Sequence, residues 1–168
     1  NNGGERLQLL DNNDRIMNTL DYDDQGEWPS GPDGSGASLT KTSPTGNSED
    51  SGNWTHSRLV GGTPGDANMV PAPGTVVINE ISGAAADQFW MEIANRSDST
   101  ADLTGYTLVG SANDEGRHTL ASTVLEPGEF LVLDETALRF SVSVGEAIFL
   151  YGPSESELVD ARRASERL

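Results

Sequence analysis

The chain of 168 residues contains no cysteine, which excludes disulfides and thiolate metal sites within it. That absence leaves the compartment open, because many secreted bacterial proteins also lack cysteine. Histidine is nearly as scarce. Its two copies, His56 and His118, stand beside no Gly-x-Ser-x-Gly elbow or other nucleophile signature. Basic residues number ten against 27 acidic ones, for a formal net charge of −17. A surplus of that sign repels phosphate backbones, so autonomous nucleic-acid binding is not expected. No apolar run approaches the ~20 residues that a membrane span requires. The chain opens on Asn1 without an apolar leader, and the expectation is an internal piece of a longer protein.

Helical periodicity is almost missing as well. Short alternating or fully apolar runs recur instead between clusters of Gly, Pro, Asn and Asp, which is the pattern of an all-β sandwich. Strands are predicted at 5–10, 15–22, 37–42, 76–82, 89–95, 105–110, 117–120, 129–134, 146–151 and 157–161. Asp11-Asn12-Asn13-Asp14 has the composition of a tight turn, so the first two strands should pair. Phe130-Leu131-Val132-Leu133 is apolar on both faces and is expected at the middle of the core. Residues 136–140 suit a single helical turn, and Ala161 to Leu168 a frayed terminal helix. The stretches 23–36 and 43–53 bury too little apolar surface to order themselves, so Trp28, Leu39 and Trp54 are expected to dock them. Val70-Pro71-Ala72-Pro73-Gly74 has the composition of a semi-rigid spacer.

The two ends of the chain look alike. Gly4-Glu5-Arg6-Leu7-Gln8-Leu9-Leu10, a polar turn and Ile16-Met17-Asn18 match Gly145-Glu146-Ala147-Ile148-Phe149-Leu150-Tyr151, a polar turn and Leu158-Val159-Asp160. A repeated hairpin predicts that the chain begins in the second half of one β module and stops partway through the next. One sandwich has room for one such hairpin. The 145–160 copy should keep the core position, because its short connection to the strand at 129–134 makes loop closure less costly. The 4–18 copy would then present an open edge through which the chain self-associates.

Chemical candidates are few. Glu80 and Glu92 lie in successive strands and would approach one another if those strands pair, although carboxylates at a sheet end more commonly serve structural networks. Asp11, Asp14, Asp21, Asp23, Asp24 and Asp33 supply hard oxygen ligands of the kind calcium takes. The EF-hand spacing is missing, no cofactor is expected, and any calcium bound would be weak and unnecessary for folding. Trp28, Trp54 and Trp90 offer flat contact area for a sugar ring or a peptide. Anchoring of the Gly- and Ser-rich loops is the competing role for the first two.

Several separated segments resemble one family. Val77-Ile78-Asn79-Glu80-Ile81, Phe89-Trp90-Met91-Glu92-Ile93-Ala94-Asn95, Asp102-Leu103-Thr104-Gly105-Tyr106-Thr107-Leu108 and Leu125-Glu126-Pro127-Gly128-Glu129-Phe130 resemble the opening half of a lamin-tail domain. The first half of the chain resembles the closing portion of the bacterial form. It carries the Gly-Glu-x-Leu-x-Leu hairpin, Trp28-Pro29, Pro32 to Leu39, Trp54 and Thr63-Pro64-Gly65-Asp66-Ala67-Asn68. The resemblance implies an immunoglobulin-like β-sandwich and no catalytic residues. It also implies a non-catalytic adhesion, anchoring or spacer module of a larger secreted or surface bacterial protein. Its expected partner is another protein or a cell-surface glycan, and the alternative is an accessory carbohydrate-binding module of a secreted hydrolase. The expected organisation is a closing part at 1–69, a linker at 70–75 and an opening part at 76–168. These parts would complement each other within one chain as a circular permutant, or between chains as a swapped dimer.

Overall fold

The computed structural model describes residues 3–72, 74–83, 87–112 and 116–164. Thirteen strands and one short helix follow in the order β1 (Glu5–Leu10), β2 (Ile16–Tyr22), β3 (Ala37–Lys41), β4 (Trp54–Val60), β5 (Val76–Ile81), β6 (Trp90–Asn95) and β7 (Ala101–Asp102). Then come β8 (Thr107–Gly110), β9 (Arg117–Thr119), β10 (Val124–Leu125), β11 (Phe130–Asp134), α1 (Glu135–Leu138), β12 (Ala147–Tyr151) and β13 (Leu158–Arg163). Every pairing is antiparallel. The fold is an immunoglobulin-like β-sandwich.

A three-stranded sheet ordered β11-β6-β5 faces a four-stranded sheet ordered β13-β12-β8-β9. Alternation along each strand sends one set of side chains between the sheets. Ile78 of β5, Met91 and Ile93 of β6, Leu108 of β8, and Ile148 and Leu150 of β12 meet there and exclude water. The opposite face of β12 is also buried. Phe149 and Tyr151 pack with Ala37, Leu158 and Ala161 in a second cluster that draws Ala37 from the other end of the chain.

The N-terminal half reaches that face through several bonds. The Tyr151 hydroxyl donates to the Ser35 carbonyl at 2.9 Å, and the Val60 amide donates to the Ser156 carbonyl at 3.1 Å. Leu59 bridges Glu157, and Arg58 forms an ion pair with the same Glu157 at 3.0 Å. Gly31 lies so close to His56 that a Cβ there would stand 2.6 Å from the ring; no larger residue fits. The 70–75 segment is tied at both ends, since the Arg58 amide donates to the Met69 carbonyl at 2.7 Å and the Arg96 amide to the Thr75 carbonyl at 2.8 Å.

The two look-alike hairpins have opposite fates. β12 is buried at every residue, whereas β1 is exposed at every residue and pairs with β2 alone. The turn between β1 and β2 forms as its composition predicts, with Asp14 at φ 59° and the Asp11 carboxylate accepting the Asn13 and Arg15 amides at 2.8 and 3.0 Å. Glu126-Pro127-Gly128 likewise makes its turn, with Gly128 at φ 77° and the Glu129 amide returning to the Glu126 carbonyl at 3.0 Å.

Three expectations need correction. The segment Phe130–Leu133 is not central: β11 is the outer strand of its sheet, and Phe130 and Val132 are each 58% exposed while Leu133 faces the core. An apolar residue on the outer face of an edge strand simply stays in water, which hydrophobicity alone does not exclude. Residues 161–163 extend β13 rather than forming a helix, because pairing of Ala147 with Arg163 and Ile148 with Arg162 continues the hairpin; residues 165–168 lie outside the described residues. Strand β4, paired with β3, falls where no strand was expected.

The corresponding leucines of the two hairpins give a direct test. Leu150 is fully buried and Leu9 is 64% exposed. Leu150→Ala should cost about 2–5 kcal/mol, and Leu9→Ala less than about 0.5 kcal/mol, in urea unfolding followed by tryptophan fluorescence.

Candidate functional site

Trp54 opens β4 and organises the loop before it. Its indole Nε1 donates to the Ser48 carbonyl at 2.9 Å, and the neighbouring Asn53 side chain accepts from the Ser43 amide at 3.2 Å and from the Thr42 hydroxyl at 3.1 Å. Trp28 stands against Trp54 with ring centroids 6.3 Å apart at 45°. Lys41 Nζ lies 5.4 Å from the Trp54 ring centroid and donates to the Gly46 carbonyl at 2.8 Å, a cation–π arrangement that ties β3 to the same loop. Of the aromatic trio singled out in the sequence, the fold brings Trp28 and Trp54 together. Trp90 lies apart on β6, opposite Asp134 of β11.

Two hollows flank this tryptophan pair. A groove of about 420 Å³ runs between the β1–β2 hairpin and β3, lined by Leu7, Leu20, Tyr22, Leu39 and Trp54, with Asp23, Asp24 and Asp33 also on its wall. Arg163 reaches Asp33 at 3.1 Å and donates to the Asp24 carbonyl at 2.5 Å. The Asp24 carboxyl is pushed above its ordinary value, chiefly by a hydrogen bond shared with Asp23 and then by burial. On the other side a cleft of about 480 Å³ is lined by Trp28, His56, Asp160 and Arg162 among others.

His56 and Asp160 are the buried titratable groups of this region. Burial lowers the His56 pKa to about 4, against a backbone hydrogen bond to Leu158 that acts upward, and its Nε2 has no hydrogen-bond partner. Burial pushes the Asp160 carboxyl up; Arg162 at 2.9 Å and the amides of Ile78 and Ala161, each at 2.9 Å, oppose that shift. Asp160 thereby fastens β13 to β5.

The remaining candidates are occupied in other ways. Strands β5 and β6 do pair, and Glu80 stands opposite Glu92 beside a bulge. Glu92 accepts from the Asn79 amide at 2.7 Å, and Asn79 in turn accepts from Arg96 at 2.6 Å, so the carboxylate belongs to a hydrogen-bonded relay. Of the six aspartates with ligand chemistry suited to calcium, Asp33 pairs with Arg163, and the other five fall at the two ends of one hairpin. Asp11 and Asp14 flank the turn, with Asp11 paired to Arg15 at 2.6 Å, while Asp21 near the end of β2 and Asp23 and Asp24 just beyond it lie at the far end. Among the described residues no group of three or more acidic or histidine side chains is placed to hold a metal ion. His118 lies on the outer strand β9, opposite Leu108. The groove residues Leu7, Leu20, Tyr22 and Leu39 carried no functional signal in the sequence, because each reads as an ordinary strand residue until two hairpins are set side by side.

The architecture is that of an immunoglobulin-like structural module. A family model for the lamin tail domain matches residues 69–164, more than half of the chain, and the chain belongs to that family. The family is a non-enzymatic, immunoglobulin-like domain of structural and interaction roles. No curated protein matches the chain.

The buried histidine predicts a pH dependence. A pKa held near 4 in the fold, against 6.5 unfolded, means that the unfolded chain binds the proton first. The contribution is therefore intact above pH ~6.5 and lost as pH falls toward 4, by roughly 3 kcal/mol. In His56→Leu this acid limb should flatten in denaturant titrations across that window, with stability at pH 7 kept or raised, because an unpartnered buried nitrogen costs about 1–3 kcal/mol.

Proposed function

We propose that the chain is a non-catalytic interaction module, serving adhesion, anchoring or spacing within a larger secreted or surface bacterial protein. The observation that carries this reading is the family membership over residues 69–164. The side-chain geometry supports it. His56 is buried and binds a proton only near pH 4, which suits packing and not proton transfer at neutral pH. The opposed Glu80 and Glu92 are joined to Asn79 and Arg96 and line neither hollow beside the tryptophans.

The same proposal includes a permuted assembly. Residues 76–151 supply the opening strands of the module and residues 1–69 its closing part, with residues 31–60 covering the outer face of β12. Contacts of Ala37, Ser35 and Arg58 with the C-terminal hairpin support complementation within one chain.

A carbohydrate-binding module is the second reading, favoured by the side-by-side Trp28 and Trp54 rings. A glycan array separates the two: saturable binding lost in Trp28→Ala, Trp54→Ala or Trp90→Ala supports the second, and an array without signal supports the first. The non-catalytic reading further predicts no turnover of nucleic acid, glycan or ester substrates. Activity abolished by Glu80→Gln or Glu92→Gln would overturn it. Chelation with EDTA should leave the thermal midpoint unchanged within about 2 °C, since no regular ligand spacing is present; a drop of many degrees would reveal a metal required for folding.

A further inference from the structure

The β1–β2 hairpin contributes nothing to the sandwich core, yet its inner face is not idle. Leu7, Leu20 and Tyr22 form one wall of the groove whose other wall is Leu39 and Trp54. Such a hollow, lined by apolar side chains together with a few carboxylates, has the mixed character of a binding site.

Its strand edges are unfinished. β1 pairs with β2 and β3 with β4, and the far edge of β4 is engaged through Arg58, Leu59 and Val60, so among the described residues the outer edges of β1, β2 and β3 have no strand partner. A free edge offers main-chain donors and acceptors that an incoming extended segment satisfies, while alternate side chains enter pockets beside it.

The charge of the groove selects what enters. Asp23, Asp24 and Asp33 lie on its wall; Arg163 pairs with Asp33 and reaches Asp24 through its main-chain carbonyl. The Asp24 carboxyl is pushed above its ordinary value, first by its hydrogen bond with Asp23 and then by burial, as crowded carboxylates are. Lys41, the cation near Trp54, is held at the Gly46 carbonyl. A chain of net charge −17 adds a long-range field that draws cationic partners and repels a second copy of itself.

We propose that this groove binds an extended polypeptide segment in which lysine or arginine alternates with apolar residues. The apolar side chains lie against Leu7, Leu20, Leu39 and Trp54, a basic side chain meets Asp23 and Asp24, and the main chain adds to a free strand edge. The assignment rests on the interaction-module reading and names its partner class.

The test uses the full chain and two synthetic probes, Ac-Gly-Leu-Lys-Val-Lys-Leu-Gly-NH2 and its counterpart with Glu in place of Lys. Binding is followed by Trp fluorescence and by amide shifts in two-dimensional NMR. The lysine peptide should bind saturably, shift Leu7, Leu20, Tyr22, Leu39 and the Trp54 indole, and weaken as salt rises, while the glutamate peptide should not bind. Asp23→Asn with Asp24→Asn should weaken binding about tenfold, since each exposed pair is worth up to about 1 kcal/mol. Leu7→Ser, on a hairpin outside the core, should also weaken it without altering the rest of the spectrum. Equal binding of both peptides, binding of neither, or shifts confined to other surfaces would overturn the proposal. Binding accompanied by cleavage of the lysine peptide, seen by mass spectrometry, would support the groove and contradict the non-catalytic reading beneath it.

Discussion

The burial of β12 on both faces is the constraint on which the rest of the molecule depends. Ile148 and Leu150 point between the sheets, as any strand of a sandwich requires. Phe149 and Tyr151 point the other way and would lie in water if the sandwich ended there. Removing two such aromatic side chains from water is worth about 1.5–3 kcal/mol each, and the surface that does so comes from residues more than a hundred positions earlier. Ala37 packs on them, Gly34 lies 3.8 Å from Phe149 at its would-be Cβ, and the Ser35 carbonyl accepts a hydrogen bond from the Tyr151 hydroxyl. The chain between β2 and β5 is positioned by that cover, with Arg163 to Asp33 and Arg58 to Glu157 as ionic ties at its margins.

The duplicated hairpin shows how far context outweighs local sequence. Gly-Glu-x-Leu-x-Leu and Gly-Glu-Ala-Ile-Phe-Leu form the same antiparallel pair with a bulge near the end, in β1–β2 and β12–β13. In one copy β12 is held between β8 and β13 under the N-terminal cover and is buried throughout; in the other β1 is exposed throughout and pairs with β2 alone. The short connection from β11 brings β12 into the core at little cost in loop closure. The free copy lies at the surface, where its inner face and β3 line a hollow together.

Much of this was legible from residue order. Ten strands predicted from alternation and turn chemistry are present, and Asp11 to Asp14 and Glu126 to Gly128 make the turns that their residue types require. β4 was hidden because its buried residues are His56 and Ser57, polar side chains that break the apolar pattern. β7 and β10, of two residues each, are too short to carry a period. Residues 161–163 suggested helix by composition, whereas cross-strand pairing with β12 decides their conformation. The tryptophans were identifiable as anchors, and Trp54 holds its loop through Ser48. The groove between hairpin and β3 was not legible, because it is a property of two elements that are remote until the fold joins them.

Complementation within one chain is the central claim, and the mass and concentration dependence of the folded species test it most directly. The account predicts a single species of 17.8 kDa in sedimentation equilibrium, with a thermal midpoint that does not move over a hundredfold range of protein concentration. A species of twice that mass, with a midpoint that rises with concentration, would place the cover of Phe149 and Tyr151 on a neighbouring chain and contradict it.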